Sequence, residues 1–305
     1  MPTIHPDFLE PLWIAFSALL PKHVDTHRYG GHNPRTDDRL IFERLIEVVF
    51  NGLSYEKAAV QKASATTLRR RRDEWVDLGV FGELKMITLR AYDKMFGIDF
   101  SNISIDGCIT KAPNGGELAG RSPVDRGKGG VKRHLMMAGN IPLHTMLTAA
   151  NVNDSTLLAD SLDGLEPFAD LLPEPGDITV HLDAGYDYPK TLKTVEDRGY
   201  KHEVSKKGVP LQARQRWRVE SAHSWFNRAT AMVRCRERKA SVYAAWVQLV
   251  NALIVVRKIV TEGWYRYRWE GRPEKFKRAW GRNTARRIKR FLSGVDDPRQ
   301  FDLAA

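Results

Sequence analysis

The stretch "DITVHLDAGYDYPKTLKTVEDRGYKHEVSK", residues 177–206, contains an apolar strand pattern, a helical pattern and a second strand pattern. The first strand breaks at Gly185, and Pro189 is compatible with the first turn of the helix that follows. Three upstream segments also have strand patterns: "FSNISIDGCIT", "RHLMMAG" and "PLHTMLTAA". Asn140 joins the last two in a tight turn. Strands followed by alternating strands and helices predict a mixed α/β sheet flanked by helices.

The segment before this sheet predicts three short helices between residues 37 and 79. The first has its apolar residues on one face, and the second begins at Ser54, which is a good N-cap. A basic third helix after two short ones is typical of a helix-turn-helix. Its first turn is then expected to contact bases and its arginines to contact phosphates, through Thr66, Thr67, Arg69, Arg70, Arg71 and Arg72. The alternative is a small helical subdomain with a solvated arginine run.

Charge and composition narrow the class of partner. The net charge of +11 in 305 residues indicates a polyanion, with nucleic acid ahead of an anionic membrane. Two cysteines, Cys108 and Cys235, cannot build a disulfide framework or a cysteine zinc site, so a reducing cytosol fits. The longest apolar run, Ala244–Val256, is interrupted by Gln248 and Asn251 and predicts a core helix rather than a membrane span.

Two further basic segments are candidates for nucleic-acid contact. Residues 111–133 form a glycine-rich basic stretch that predicts a long loop on the nucleic-acid backbone, through Arg121, Arg126, Lys128, Lys132 and Arg133. Residues 264–291 contain eleven Lys or Arg and two Glu, interleaved with aromatic residues. Such a tail either grips phosphates and stacks on bases, or forms an amphipathic helix whose aromatics pack on the core.

Two aspartates follow strand patterns directly. Asp106 comes after "ISI" and Asp183 comes after "TVHL". Each is expected at the carboxyl end of its strand, where open α/β sheets place ligand sites. Taken alone, an aspartate in this position is more often a turn or helix cap, so neither residue identifies a site by itself.

Glu220 lies in "QRWRVESAHSWFNRATAMV", residues 215–233, which predicts a helix over about 214–234. Its apolar stripe consists of Val219, Ala222, Phe226, Ala229 and Val233. Glu220 falls on the neighbouring polar face with Arg216, His223 and Asn227. Alone it could be half of an Arg216–Glu220 ion pair worth ~0.3 kcal/mol. Together, three carboxylates are ligands that Mg²⁺ or Mn²⁺ prefers, and two such ions can drive phosphodiester cleavage.

The order Asp106, Asp183, Glu220, with 76 and 36 residues between them, resembles the DDE transposases of bacterial insertion sequences, within the insertion sequence five-like group. The motifs that carry the resemblance are "SIDGCITKAP", "GRSPVDRGKGGVKRHLMM", "LDAGYDYPKTLK", "RWRVESAHSWFNR" and "AAWVQLVNALIVVRK". It covers roughly residues 35–260. It implies a ribonuclease-H-like core with the first acid on the first strand, the second after the fourth strand and the glutamate on a late helix.

The resemblance also implies roles for individual residues. Asp106, Asp183 and Glu220 would be catalytic and would ligate two Mg²⁺ ions, with Mn²⁺ as a substitute. The family's extended glutamate motif has a Tyr, an Arg and a Lys around the glutamate. Arg216 matches the Arg, and Ala213 stands where the Tyr is expected.

The lysine position of that motif is occupied by Asn227, with Arg228 beside it. One of these two would therefore take the phosphate-positioning role, and His223 with Arg216 would orient phosphate or water.

The expected protein is a transposase that binds the terminal inverted repeats of its own element, cuts DNA with Mg²⁺ and transfers the strand. Its partners would be element ends, target DNA and a second copy in a homodimer, in the bacterial cytoplasm at the nucleoid. The expected domains are an N-terminal helical DNA-binding domain (1–96), a ribonuclease-H-like catalytic domain (97–262) and a basic aromatic tail (263–305). Two alternatives remain, a metal-dependent nuclease without joining activity and a helix-turn-helix regulator.

Overall fold

The structure is a computed structural model that describes residues 4–23, 35–205 and 217–267. The chain divides into two compact units. One joins the described part of Met1–Phe96 to the described chain from Gln248 onward, and the other is Gly97–Val247.

Within its described residues, the regular elements of the first unit are helices, joined by short turns. Its helices are α1 (Pro6–Leu19), α2 (Asp38–Asn51), α3 (Tyr55–Ala58), α4 (Ala65–Asp77), α5 (Val80–Phe96) and the later part of α10 (Ala240–Tyr267). The prediction of three helices between 37 and 79 is confirmed by α2, α3 and α4. The sequence analysis did not identify α1 or α5. Gly79, at φ +71, ends α4 in a left-handed conformation and α5 begins at the next residue.

Capping and aromatic packing explain why these helices form. Ser64 accepts a hydrogen bond from the Thr67 backbone N–H at 3.1 Å and so begins α4. Trp75 is fully buried on that helix, and its ring centroid lies 4.9 Å from that of Phe16. Phe16 also lies 4.7 Å from Phe42, so one aromatic cluster ties α1, α2 and α4 together.

The arginine run on α4 divides into buried and exposed members. Arg71 is buried and ion-paired with Asp38 of α2. Arg72 is also buried and donates a hydrogen bond to the Tyr55 hydroxyl at 2.6 Å. Arg70 is exposed. The expectation of four arginines facing phosphates therefore does not match their burial, because two of them hold α4 against α2 and α3.

The second unit contains a six-stranded mixed sheet. Its strands are β1 (Asn102–Lys111), β2 (Gly120–Arg121), β3 (Gly129–Ala138), β4 (Ile141–Ala149), β5 (Thr179–Leu182) and β6 (Lys201–Val204). The order is β2-β3-β1-β5-β6, and β4 also pairs with β3. The β1–β3, β2–β3 and β3–β4 pairs are antiparallel, and β1–β5 and β5–β6 are parallel.

Helices accompany this sheet, as predicted. They are α6 (Leu158–Asp163), α7 (Pro189–Glu196), α8 (Trp217–Phe226) and α9 (Thr230–Val233). The stretch 177–206 forms β5, α7 and β6, a strand–helix–strand unit whose strands are parallel neighbours. Nine of the ten residues of β3 are buried, which fits a central strand covered on both faces. The predicted mixed α/β sheet flanked by helices is confirmed.

The predicted loop at 111–133 is shorter than expected. β1 continues to Lys111 and β3 begins at Gly129, so residues 112–128 connect them and include β2. A side chain at Gly130 would come within 2.9 Å of Ile109, so glycine permits this close strand pairing. Lys132 and Arg133 consequently belong to a buried strand, and the loop assignment was wrong for both.

The predicted helix around Glu220 is also shorter. α8 ends at Phe226, and α9 is a separate turn of four residues. Four members of the predicted apolar stripe are buried, but Val233 on α9 is half exposed because the helix axis does not continue to it. Residues 206–216, with Ala213 and Arg216, lie outside the described residues.

α10 has 28 residues and contains the predicted core run. By length and composition alone, its stretch Ala240–Tyr265 could cross a membrane, but 67% of the most apolar window is buried inside the protein. Such burial is what a core helix shows. The predicted basic tail lies outside the described residues from 268 onward.

We expect Arg71→Ala to lower the free energy of unfolding by about 1–2 kcal/mol, because it removes a buried side chain and its ion pair with the part-exposed Asp38, which keeps Arg35. Arg70→Ala should change it by less than about 0.5 kcal/mol, because Arg70 is exposed. Urea unfolding of the two variants beside the wild type checks this. Equal losses would show that burial does not separate these arginines.

Candidate active site

Asp106 and Asp183 lie at the same level of two neighbouring parallel strands. Ser104 of β1 pairs with His181 of β5, and each aspartate comes two residues after its member of that pair. Side chains two residues apart on a strand share a face, and neighbouring strands lie about 4.8 Å apart. The register therefore directs both carboxylates to the same face of the sheet, beside the end of β5. Asp183 follows its strand as predicted, but Asp106 lies in the middle of β1, so its expected place at the carboxyl end of a strand was wrong.

Local backbone groups orient both aspartates. The Gly107 N–H donates to Asp106 Oδ1 at 2.8 Å, and the Gly185 N–H donates to the Asp183 carboxylate. Asp183 thereby caps the short 3₁₀ turn Ala184–Tyr186 that follows β5. The cap role that the sequence left open for Asp183 is real, and it coexists with the register position.

α8 packs against β1 and β3 and brings the third predicted residue to this region. His223 on α8 places Nε2 3.9 Å from Asp106 Oδ2. Glu220 precedes His223 by three residues, so the two share a helix face, and Glu220 is exposed to solvent. α8 therefore lies beside Asp106 at His223, and Glu220 stands about one helical turn before that contact.

His223 is unusual among the residues of this face. It is 9% exposed, and neither ring nitrogen makes a hydrogen bond of good geometry, although the Asp106 backbone lies near enough to oppose the lowering of its pKa. Burial, and then the charges of Arg133 and His134, lower the pKa of His223 to about 3. The ring is therefore neutral at physiological pH, with one N–H donor and one bare nitrogen. A buried polar ring without a well-formed hydrogen bond beside a carboxylate is rare in folded proteins and marks a candidate site for a ligand.

The donor chemistry of the three acids fits a divalent cation. Carboxylate oxygens are hard ligands of the kind that Mg²⁺ and Mn²⁺ prefer, and Asp106 and Asp183 are both partly exposed. Within residues 4–23, 35–205 and 217–267, no three His, Cys, Asp or Glu side chains are already gathered in an arrangement that could hold a metal ion. The fit thus lies in the chemistry of the acids and in the strand register, because the described side chains do not by themselves form a closed cage.

The opposite face of β1 contains a carboxylate that the sequence analysis missed. Asp154 lies over Gly107, where a side chain would come within 2.1 Å of its Oδ1. Its Oδ2 lies 3.1 Å from Nζ of Lys132, which also donates to the Val152 carbonyl. Lys132 is therefore buried in an ion pair. The one sequence signal for this packing is the glycine directly after Asp106.

A buried hydrogen-bonded group continues on that face. His134 Nε2 lies 2.6 Å from the Tyr186 hydroxyl, and Nδ1 lies 2.6 Å from Ser161 Oγ. Burial lowers the pKa of His134 to about 4, against the opposing charge of Asp154. These residues also escaped the sequence analysis, because periodicity gives no sign of which buried polar groups meet.

Arg133 anchors the carboxyl end of α8. It is 2% exposed, donates to Asn227 Oδ1 at 2.7 Å, and has its guanidinium 5.7 Å from the Phe226 ring centroid. This hydrogen bond orients Asn227, which occupies the lysine position of the glutamate motif. Arg228 beside it is exposed.

The other predicted DNA-binding residues are exposed or half-buried, or they lie outside the described residues. Arg121, Arg126 and Lys128 are exposed around the turn after β2, and Arg126 has a left-handed φ of 52°. Thr66 is exposed on α4, whereas Thr67 and Arg69 are half-buried. Arg216 lies among the residues that are not described.

Comparison with known proteins gives this geometry a family. Residues 100–256, just over half of the chain, match the family described as the transposase DDE domain. The chain belongs to this transposase family. The transposase is 32% identical over 141 residues to a Burkholderia cepacia protein named as a transposase for insertion sequence element IS402, covering 44% of this chain and 67% of that relative. No solved structure matches significantly.

Family membership confirms the predictions of a bacterial insertion-sequence DDE transposase, of polynucleotidyl transferase activity and of a ribonuclease-H-like fold. It also implies dependence on a divalent metal and DNA as substrate. Membership of the insertion sequence five-like group stays a prediction.

Acid should destabilise the transposase through His134. Its pKa is lowered in the folded chain, so the unfolded chain takes up the proton first and stability falls as pH drops from about 6.5 toward 4. One such group contributes up to about 1.4 kcal/mol per pH unit. We expect His134→Gln to flatten the decline in urea-unfolding free energy between pH 7 and 5. His202→Gln, at a more exposed histidine, should leave that decline unchanged. Parallel declines in all three proteins would contradict this.

Proposed function

We propose that this transposase binds the terminal inverted repeats of its own element, cuts DNA at the element end with Mg²⁺, and joins the freed 3′ hydroxyl to target DNA. The observation that supports this most directly is the shared level of Asp106 and Asp183 on parallel neighbours. His223, one helical turn after Glu220 on α8, lies 3.9 Å from the first of them.

The three acids would have distinct places in this site. Asp106 and Asp183 would hold the ions, and Glu220 on α8 would be the third carboxylate ligand. Two bound Mg²⁺ ions, or Mn²⁺ in their place, supply the charge that activates water and stabilises the leaving 3′ oxygen. The acids themselves would do no more than hold that charge beside the DNA strand.

His223 would orient phosphate or water. Its neutral ring offers one donor and one acceptor, and it lies 3.9 Å from Asp106 with no hydrogen bond of good geometry of its own. Asn227, oriented by Arg133, and the exposed Arg228 would contact the phosphate that the family's lysine contacts. We propose that Arg216, like His223, orients phosphate or water.

DNA would be held by separate basic surfaces. On the N-terminal helical domain, residues 1–96, the exposed Thr66 and Arg70 are suited to contact the element end, with Thr67 and Arg69 beside them. On the catalytic unit, the exposed Arg121, Arg126 and Lys128 are suited to the backbone. The net charge of +11 supports such binding at low salt.

Two properties follow from the reaction. Two ends must be held together for transposition, so we propose a homodimer in the DNA complex. The substrate is chromosomal or element DNA, so the protein would act in the bacterial cytoplasm.

We expect Asp106→Asn, Asp183→Asn and Glu220→Gln each to reduce strand cleavage on the order of 1,000-fold or more, because each removes a metal-holding charge. End binding should persist, since the basic surfaces are intact. Asp187→Asn is a matched control, because Asp187 is an exposed acid on the same loop as Asp183. Cleavage and gel-shift assays on labelled inverted-repeat DNA with Mg²⁺ measure both. A site variant that cuts at the wild-type rate would remove that residue from the site.

A nuclease that cuts without joining is the alternative within the same chemistry. Incubation of the wild type with pre-cut element ends and a target plasmid separates the two, because only a strand-transferring enzyme yields a joined product. Tight DNA binding with no metal-dependent cleavage would instead favour a helix-turn-helix regulator.

A further inference from the structure

We propose that Tyr186 and His134 are positioning residues that hold Asp183 at the level of Asp106. This inference rests on the proposed function, because it assigns the pair to the same metal-holding acids. Neither residue is among the site residues that the sequence or the family resemblance singled out.

A short chain of bonds links the two aspartates through this pair. His134 is the register partner of Gly107, the residue directly after Asp106, so β-sheet pairing fixes its backbone relative to that acid. Its ring reaches the Tyr186 hydroxyl at 2.6 Å. The Tyr186 N–H in turn donates to the Asp183 carbonyl at 3.0 Å, which closes the turn that Asp183 caps.

The hydrogen-bond directions in this chain are consistent throughout. Ser161 Oγ donates to Met146 Sδ at 3.1 Å, which leaves it to accept from His134 Nδ1. Either ring tautomer satisfies both contacts, and the Ser161–Met146 contact favours the one in which the bare Nε2 accepts from the Tyr186 hydroxyl. Both ring nitrogens are then satisfied. A fully satisfied buried network is rigid and defines one arrangement of its members.

Packing alone does not fix the turn in this way. The Tyr186 ring is 2% exposed and His134 is fully buried, so apolar burial already keeps the loop against the sheet. The hydroxyl bond adds direction, because it sets the angle of the turn about the strand end. The orientation in which the Asp183 carboxylate can bind a metal depends on the angle of this turn, because hydrogen-bonded neighbours orient a ligand residue.

Tyr186→Phe isolates the bond, because the phenyl ring keeps the packing. Tyr188→Phe is the matched control on the same loop, since Tyr188 is 55% exposed. Tyr92→Phe controls for lost stability, because the Tyr92 hydroxyl donates to Glu262 at 2.6 Å within the first unit. Ser161→Ala removes the other end of the His134 ring and serves if Tyr186→Phe fails to fold.

The measurements are Mn²⁺ affinity of the full-length protein by titration calorimetry and the Mg²⁺ concentration for half-maximal cleavage. We expect Tyr186→Phe to weaken metal binding about 10-fold or more, with cleavage recovered at saturating metal, and Ser161→Ala to shift both in the same direction. Tyr188→Phe and Tyr92→Phe should match the wild type in both.

Wild-type metal affinity in Tyr186→Phe, with a loss of stability like that of Tyr92→Phe, would overturn the positioning role and leave the proposed function intact. Absence of metal-dependent cleavage in the wild type would overturn the proposed function, and the inference with it.

Discussion

The parallel pairing of β1 with β5 is the constraint on which the candidate site depends. It brings Asp106 and Asp183, 77 positions apart in the sequence, to matching positions of two neighbouring interior strands. Because side chains alternate along a strand, a shift of one residue in this register would turn one of the acids to the opposite face. The antiparallel pairing of β1 with β3 on the other side fixes β1 itself, so the position of the first acid is set from both neighbours.

Buried polar groups make that register specific. Arg133 supports the end of α8 on one face, and Lys132 with Asp154 and His134 with Tyr186 occupy the other. Burial of such groups costs free energy unless each is paired. A shifted strand register would leave several of them buried without partners at once, at a cost of about 1–3 kcal/mol each. The buried polar groups of β3 therefore favour the native strand register over registers shifted by one or two residues.

The sequence predicted the fold class because its strands and helices have clear periods and clear ends. Strand–helix–strand alternation at 177–206 is a local signal, and so is the cap at Ser54. The start of β3 escaped prediction because glycines read as a loop, although here they permit close pairing. The burial of Arg71 and Arg72 escaped because nothing local shows that Asp38 and Tyr55 lie beneath them.

The acids of the candidate site could be identified from order and spacing, together with family resemblance. Their surroundings could not, because Asp154, His134 and Tyr186 are ordinary residues until long-range pairing brings them together. His223 was assigned to a polar face, whereas the structure buries it. A helical wheel separates charged from apolar positions, but it does not show how far the neighbouring strand closes over them.

The close approach of Asp154 to Gly107 links two positions that lie far apart along the chain. Any larger residue at 107 would displace the carboxylate and take Lys132 with it, so the two positions can diversify only together. In a library randomised at both, selected for activity, bulk at 107 should survive only alongside a shortened side chain at 154.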